Sequence, residues 1–327
     1  MIKRILIPLD RSTLAEQAIG HAMTIARGSG AEVHLVLAHE SPVLDESASG
    51  RTDPSWDEER VYLASVAHEL RSTGNVSVSL DIVSGKPADA IVRCASEKAS
   101  DLIVMTSHGR TGLIRMWLGS VTDTVIRRAC VPVLVMRRSC VPEPRGRMAR
   151  KFGHILVPLD DTSIAQVPTH AGVDLAIATG ASLTLLHVVH PVSRQRPIEP
   201  FAPEAYMANT PDEEATNSLV TSRTAELNET AALLRDTSGL RVDATVIVSS
   251  RVANTIIAFA AANGVDAIAM STHGRGASRY LIGSVADKVL RATDLPVLVH
   301  RPRKVSEDLC RLCDRDIAEQ LPALSGW

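Results

Sequence analysis

Short apolar runs alternate along the chain with longer stretches in which apolar residues recur at helical spacing. In the first half, Ile5–Leu9, Val33–Ala38, Val76–Val83, Leu102–Met105 and Val133–Met136 read as strands. The corresponding runs in the second half are Ile155–Leu159, Ser182–Val189, Val242–Val248, Ala267–Met270 and Val297–Val299. Most are continuously apolar and lack strict alternation, the pattern of a parallel strand covered on both faces. Stretches of ten or more residues with helical periodicity fill the gaps. The α/β class follows: a β-α alternating chain that winds right-handedly around open parallel sheets.

The pattern occurs twice. Ile5-Leu6-Ile7-Pro8-Leu9-Asp10 returns as Ile155-Leu156-Val157-Pro158-Leu159-Asp160 with five of six residues identical, and Gly119–Val135 matches Gly283–Val299 at ten of 17 positions. A duplication explains both matches. The Pro-, Gly- and Arg-containing segment from Arg137 to Phe152 has the composition of an exposed linker. The expected organisation is a first domain over residues 1–138, a linker over 139–152, a second domain over 153–302 and a tail over 303–327. Each domain is expected to be a doubly wound parallel sheet with strand order 3-2-1-4-5, the two packing through their final strands. Polar insertions, Ser41–Arg60 and Pro191–Ala215, follow the second strand of each half and read either as lids over the sheet or as solvated loops.

Composition narrows the function. With 35 Lys plus Arg against 37 Asp plus Glu and 3% aromatics, the chain has neither a basic field for a phosphodiester backbone nor a platform for stacking bases. Nucleic acid is therefore not an expected partner. No apolar run approaches the length of a membrane span, so no membrane association is expected, and five scattered cysteines suggest a reducing, cytoplasmic setting. Cys310 and Cys313 form a lone C-x-x-C without a second ligand pair, and no metal site is assigned.

Candidate chemistry lies at the carboxyl ends of the strands, where open parallel sheets bind ligands. After the fourth strand come Thr106-Ser107-His108-Gly109-Arg110-Thr111-Gly112 and, in the second half, Ser271-Thr272-His273-Gly274-Arg275-Gly276. Such loops can turn backbone N–H groups inward as an anion nest, with the arginine at the rim. Gly119-Ser120 and Gly283-Ser284 then stand before helices expected over Val121–Cys130 and Val285–Thr293, and a glycine-led helix start can receive phosphate. Asp10 and Asp160 end the first strands. Thr13–Glu16 and Ser163–Gln166 have the form of capping boxes, which leaves both carboxylates spare for ribose hydroxyls or for a metal bridging phosphates. His108 and His273 lack a carboxylate or nucleophile at fixed spacing, and no catalytic residue is assigned.

These residues resemble the universal stress protein family over Lys3–Arg137 and His154–Arg301. The resemblance rests on the first-strand Asp, the terminal Pro-Val-Leu-Val strand and a G-x-x-G, nine residues, G-[S/T] motif. Here the first half reads Thr106-Ser107-His108-Gly109, nine residues, Gly119-Ser120, and the second Ser271-Thr272-His273-Gly274, eight residues, Gly283-Ser284. The resemblance implies a Rossmann-like fold of the adenine nucleotide alpha hydrolase type. It also implies an ATP-binding stress regulator, with or without Mg2+ beside the nucleotide, and slow or absent hydrolysis. ATP would meet Pro8, Asp10, Ala38, Thr106, His108, Gly109, Arg110, Gly112, Gly119, Ser120 and Val121. A second, weaker site would comprise Pro158, Asp160, Val188, Ser271, His273, Gly274, Arg275, Gly283, Ser284 and Val285. Val83-Ser84-Gly85-Lys86-Pro87 matches a family loop, whereas Val248-Ser249-Ser250-Arg251-Val252 lacks its Gly and Pro. The family's pairing through last strands implies an intrachain pseudo-dimer, with a homodimer as a further assembly. A scaffold that binds unknown protein partners and no nucleotide, and an ATP pyrophosphatase or adenylyl-transfer enzyme, are the competing readings. The last lacks a Ser-Gly-Gly loop after the first strand.

Overall fold

The computed structural model describes residues 1–40, 54–73, 75–107, 118–137, 151–161, 171–197, 207–271 and 282–300. In the first half β1 (Arg4–Leu9), β2 (Glu32–His39), β3 (Val78–Ser84), β4 (Leu102–Thr106) and β5 (Val133–Met136) alternate with helices. These are α1 (Thr13–Ser29), α2 (Pro54–Thr73), α3 (Pro87–Glu97) and α4 (Ser120–Arg128). The second half repeats the plan with β6 (His154–Leu159), α5 (Ala171–Thr179), β7 (Ser182–Val189), then β8 (Ser193–Pro197) and β9 (Met207–Pro211). It continues through α6 (Glu213–Ser238), β10 (Val242–Val248), α7 (Val252–Ala262), β11 (Ala267–Ser271), α8 (Ser284–Ala292) and β12 (Val297–His300).

Strand order is β3-β2-β1-β4-β5 in the first half and β10-β7-β6-β11-β12 in the second, the expected 3-2-1-4-5 order in both. Within the main sheet every pairing inside a half is parallel. Between the halves β12 pairs with β5 in antiparallel register, Val297 with Val135 and Val299 with Val133, so the two sheets become one of ten strands. The apolar runs are explained by this geometry, because alternate residues of each strand enter opposite cores. Ile5, Ile7 and Leu9 face α1, α2, α5 and α6, while Leu6 faces the layer built by α3, α4, α7 and α8. Each core runs across both halves without interruption.

Three sequence expectations need correction. Arg137 and Phe152, the ends of the segment read as an exposed linker, are buried. Arg137 donates to the Leu290 carbonyl at 3.1 Å, and Phe152 stacks on His21 of α1 with ring centroids 5.2 Å apart. Residues between them at 138–150 lie outside the described residues. The insertion Pro191–Ala215 is not merely loop, since β8 and β9 form an antiparallel two-stranded sheet and α6 begins within it at Glu213, capped by Asp212. Similarly, α2 begins at Pro54 inside the first insertion.

The halves also meet through α1 and α5. Asp174 accepts from the amino terminus at 2.7 Å, and a Cβ added at Gly28 would lie 1.7 Å from the Ala178 carbonyl oxygen. Alanine normally stabilises a helix interior relative to glycine by about 0.5–1 kcal/mol. At Gly28 the obstructing atom is backbone of a neighbouring helix, so Gly28→Ala is expected to destabilise the chain instead, by about 1–3 kcal/mol. A melting temperature several degrees below that of the unaltered protein checks this.

Burial depresses three imidazoles. His21 is held down to about 4, and His34 and His300 are lowered in the same direction. Each is neutral in the fold and gains a proton more readily when unfolded, so stability is complete above the ordinary 6.5 and declines as pH falls toward about 4. His21→Gln is expected to flatten that decline, read as the urea midpoint at successive pH values.

Candidate functional site

The switch point of each half lies between its first and fourth strands, where neighbours on the two sides are reached in opposite directions. The β1–β4 ladder contains Ile5–Leu102 and Leu6–Ile103 and stops there, while the β1–β2 ladder continues to Leu9–Leu37. Pro8 stands just beyond that divergence. A proline lacks the N–H that a central strand requires, and its position after the end of the β4 ladder removes the conflict. Pro158 repeats the arrangement, because β6 pairs with β11 only through Ile155 and Leu156. A crevice thus opens at the carboxyl end of each switch point.

Asp10 sits at the mouth of the first crevice, but the expectation of a spare carboxylate is overturned. Its Oδ1 accepts from the Ser12 backbone N–H at 2.9 Å and from the Ser12 hydroxyl at 2.5 Å. Ser12 Oγ in turn accepts from the Ala15 N–H at 3.1 Å, which makes Ser12, rather than Thr13, the N-cap of α1. This turn holds Arg11 at φ 66°, a left-handed conformation that few non-glycine residues adopt. Asp160 occupies the equivalent place, and its downstream capping segment at 162–170 lies outside the described residues.

The helix starts differ by one residue from the sequence reading. Gly119 is the N-cap of α4, at φ −57° and ψ 145°, and Ser120 is its first helical residue. Gly283 and Ser284 have the same roles in α8, with φ −55° and ψ 144°. A glycine cap offers no side-chain acceptor, and among the described residues no side chain is seen to bond the first-turn N–H groups of either helix. Those donors and the helix dipole are what an anion can use. The Gly119 N–H donates to the Ser107 carbonyl at 2.7 Å, and the Thr122 hydroxyl to the Thr106 carbonyl at 3.0 Å. These two bonds dock the start of α4 on the end of β4, bringing Thr106, Gly119, Ser120 and Val121 together. In the second half Ala286 replaces Thr122, so that hydroxyl strut is missing. Ser271 instead lies 3.5 Å from the His300 imidazole across the β11–β12 pair.

Ala38 and Val188, the positions expected beneath a base, are the penultimate residues of β2 and β7 and are half-buried. Beyond them the halves diverge. Gly85 takes φ 122° and donates to the His39 carbonyl at 3.0 Å, a bend that leads directly into Pro87 of α3. The matching bond in the second half comes from the Ser249 N–H to the Val189 carbonyl at 2.9 Å. Ser249 therefore takes the place of Gly85, and the turn is one residue longer before its helix. Ser249 Oγ accepts from the Arg251 N–H at 3.1 Å and from the Thr255 hydroxyl at 2.8 Å, so a side chain stabilises what the glycine achieves by conformation.

Several polar side-chain contacts at this edge escaped the sequence reading because helix and strand bring the residues together from distant positions. His39 on β2 is buried beside Glu59 of α2, Nδ1 to Oε2 2.8 Å, and its ring lies 4.5 Å from that of Trp56. In the second half His187 Nδ1 donates to the Leu159 carbonyl at 3.0 Å and its Nε2 lies 3.4 Å from Asp161. Arg223 on α6 lies 3.2 Å from Asp161 and 2.7 Å from Glu226. No local signal marked them, since the partners stand far apart in sequence, 20 positions for His39 and Glu59 and more for Asp161 with His187 and with Arg223. The expected residues His108, Gly109, Arg110, Gly112, His273, Gly274 and Arg275 lie outside the described residues. Among the described residues no group of three or more His, Cys, Asp or Glu is placed to hold a metal. A cavity of about 640 Å3 opens at the opposite, amino-terminal edge of the sheet, lined in part by Lys3, Arg27, Glu32 and Ser77. Chemistry and topology, rather than cavity size, pick out the carboxyl edge.

The model of the universal stress protein family matches residues 1–137 and 151–301. A universal stress protein of Methanocaldococcus jannaschii is 35% identical over 146 residues, 42% of this chain and 84% of its own length. One from Mycobacterium tuberculosis is 28% identical over 229 residues, 69% of this chain and 70% of its own. In fold, the crystal structure of a universal stress protein from Archaeoglobus fulgidus is similar with a TM-score of 0.68 at 19% identity, over 92% of this chain and 98% of that one. Two family matches in succession, on two halves with the same strand order, lead to one conclusion: the chain belongs to the universal stress protein family, as a tandem of two such units.

Proposed function

We propose that the chain is an ATP-binding regulatory protein of the stress response, with the nucleotide held at the carboxyl edge of the first half. The observation that carries this reading is the start of α4. Its glycine cap brings no side-chain acceptor of its own to the first-turn N–H groups, and Ser107 and Thr106 hold it on the end of β4. Phosphates would meet Gly119, Ser120 and Val121 together with the loop residues Thr106, His108, Gly109, Arg110 and Gly112. The ribose and base would lie against Asp10, Pro8 and Ala38. Mg2+, where present, would use Asp10 as its protein ligand.

The reading assigns binding rather than turnover. Asp10 is the one carboxylate among the residues assigned in the first half, and Ser12 already engages its Oδ1 twice, which suits a fixed acceptor better than a proton-accepting base. ATP occupancy would then alter the shape or protein partners of the chain. In the second half, Pro158, Asp160, Val188, Ser271, His273, Gly274, Arg275, Gly283, Ser284 and Val285 would form the weaker site. The absence of the Thr122 hydroxyl strut favours a structural role for that half.

Calorimetric titration of the full chain with ATP tests the assignment, with one nucleotide per chain expected. The backbone at Gly119 suits any L residue, so Gly119→Val obstructs phosphate approach without imposing strain. It is expected to weaken ATP binding by about 1.5–3 kcal/mol, roughly ten- to 150-fold. Asp10→Asn keeps an acceptor for Ser12 but removes the charge, and is expected to lower affinity while leaving the melting temperature nearly unchanged. Unaltered affinity in both folded variants sinks the site. Ser120→Trp should abolish the stoichiometric binding and Ser284→Trp should not; the reverse result places the nucleotide in the other half.

A further inference from the structure

The residue that follows the first-strand aspartate carries opposite charge in the two halves. Arg11 lies 3.4 Å from Glu58 of α2, and Asp161 lies 3.2 Å from Arg223 of α6. Both pairs join the carboxyl edge of the sheet to the helix that follows its second strand, but with the signs exchanged between loop and helix. The two cations are held differently. Among the described residues Arg11 has one carboxylate contact, and Glu58 is 76% exposed, so the pair is an open surface ion pair that a ligand can displace at little cost. Arg223 is engaged by Asp161 and Glu226 at once, and its hydrogen bond holds the Glu226 carboxyl below the usual range. That cation is committed to the protein.

Backbone geometry makes the same distinction. The Asp10–Ser12 turn keeps Arg11 in a left-handed conformation at the crevice mouth, and conformations of this kind concentrate where a side chain must be aimed. Asp161 instead sets a second carboxylate beside Asp160. His187 and Arg223 hold it at that edge.

We propose that position 11, with its counterpart 161, selects the half that accepts a polyanionic ligand. Arg11 leaves Glu58 to meet the phosphates of a nucleotide in the first half, whereas Asp161 beside Asp160 disfavours them in the second. The proposal rests on the nucleotide reading above and adds to it a specificity-determining residue pair.

The test uses the full chain and two probes, ATP and uncharged adenosine, titrated calorimetrically at low and high salt. Arg11→Asn removes the charge while retaining a residue type that tolerates the left-handed backbone, and Arg11→Lys retains the charge. The expected result is a loss of ATP affinity of about three- to tenfold in Arg11→Asn, shrinking at high salt, with adenosine affinity unchanged and with Arg11→Lys near the unaltered protein. Asp161→Asn is expected to raise ATP binding at the second half, read as stoichiometry above one. Equal ATP affinity in the unaltered protein and Arg11→Asn, or equal losses for ATP and adenosine, overturns the charge-selection proposal while leaving the nucleotide reading intact. If the unaltered chain binds neither probe, the nucleotide reading fails and this proposal falls with it.

Discussion

The antiparallel bond between β5 and β12 is the constraint on which the rest of the structure depends. Each half alone would end in an apolar edge strand, Val133–Met136 or Val297–His300, with a row of unpaired backbone donors and acceptors. An open apolar edge pairs with whatever strand it meets. Joining the two edges within one chain satisfies both, extends each core across the junction, and turns two five-stranded sheets into one of ten. Other interhalf contacts depend on that alignment, among them α1 against α5 at Gly28, His21 on Phe152, and Arg137 on the Leu290 carbonyl.

The seam also determines where α4 and α8 lie. Each of α4 and α8 leads into a seam strand, and the last turn of α8 approaches the first turn of α4. Arg127 bonds Asp123 at 2.7 Å, Arg291 bonds Asp287 at 3.0 Å, and Arg291 lies 3.9 Å from Asp123 across the interface. Because β5 and β12 run antiparallel, the carboxyl ends of the two halves face opposite edges of the ten-stranded sheet. Their chemistry differs as well. Thr122 braces the first helix start and has no hydroxyl counterpart in the second; Gly85 bends one turn by a positive φ, and Ser249 bends the other with side-chain hydrogen bonds. Duplication kept the backbone plan because the cores demand it, while the residues over the carboxyl edge were free to differ.

A great deal was legible in the sequence. Ten β-branched or apolar runs, repeated after 150 positions at Ile5 and Ile155, determined the ten strands of the main sheet, their parallel pairing within each half and the doubled architecture. They could do so because burial on both faces imposes a local signal that each run carries by itself. Glycines before α4 and α8 were equally readable, since a cap position tolerates few residue types. What tertiary structure alone decided are relations between distant residues. The Ser12 turn engages Asp10, although the neighbouring Thr13–Glu16 has the form of a capping box, because the choice between two adjacent hydroxyls depends on where α1 enters the sheet. Arg137 and Phe152 become core in a segment whose composition reads as linker, because the partner half covers them. The opposite pairs Arg11–Glu58 and Asp161–Arg223 form because α2 and α6 return over the carboxyl edge, placing side chains 47 and 62 positions apart in contact, a proximity that no local pattern of residues encodes.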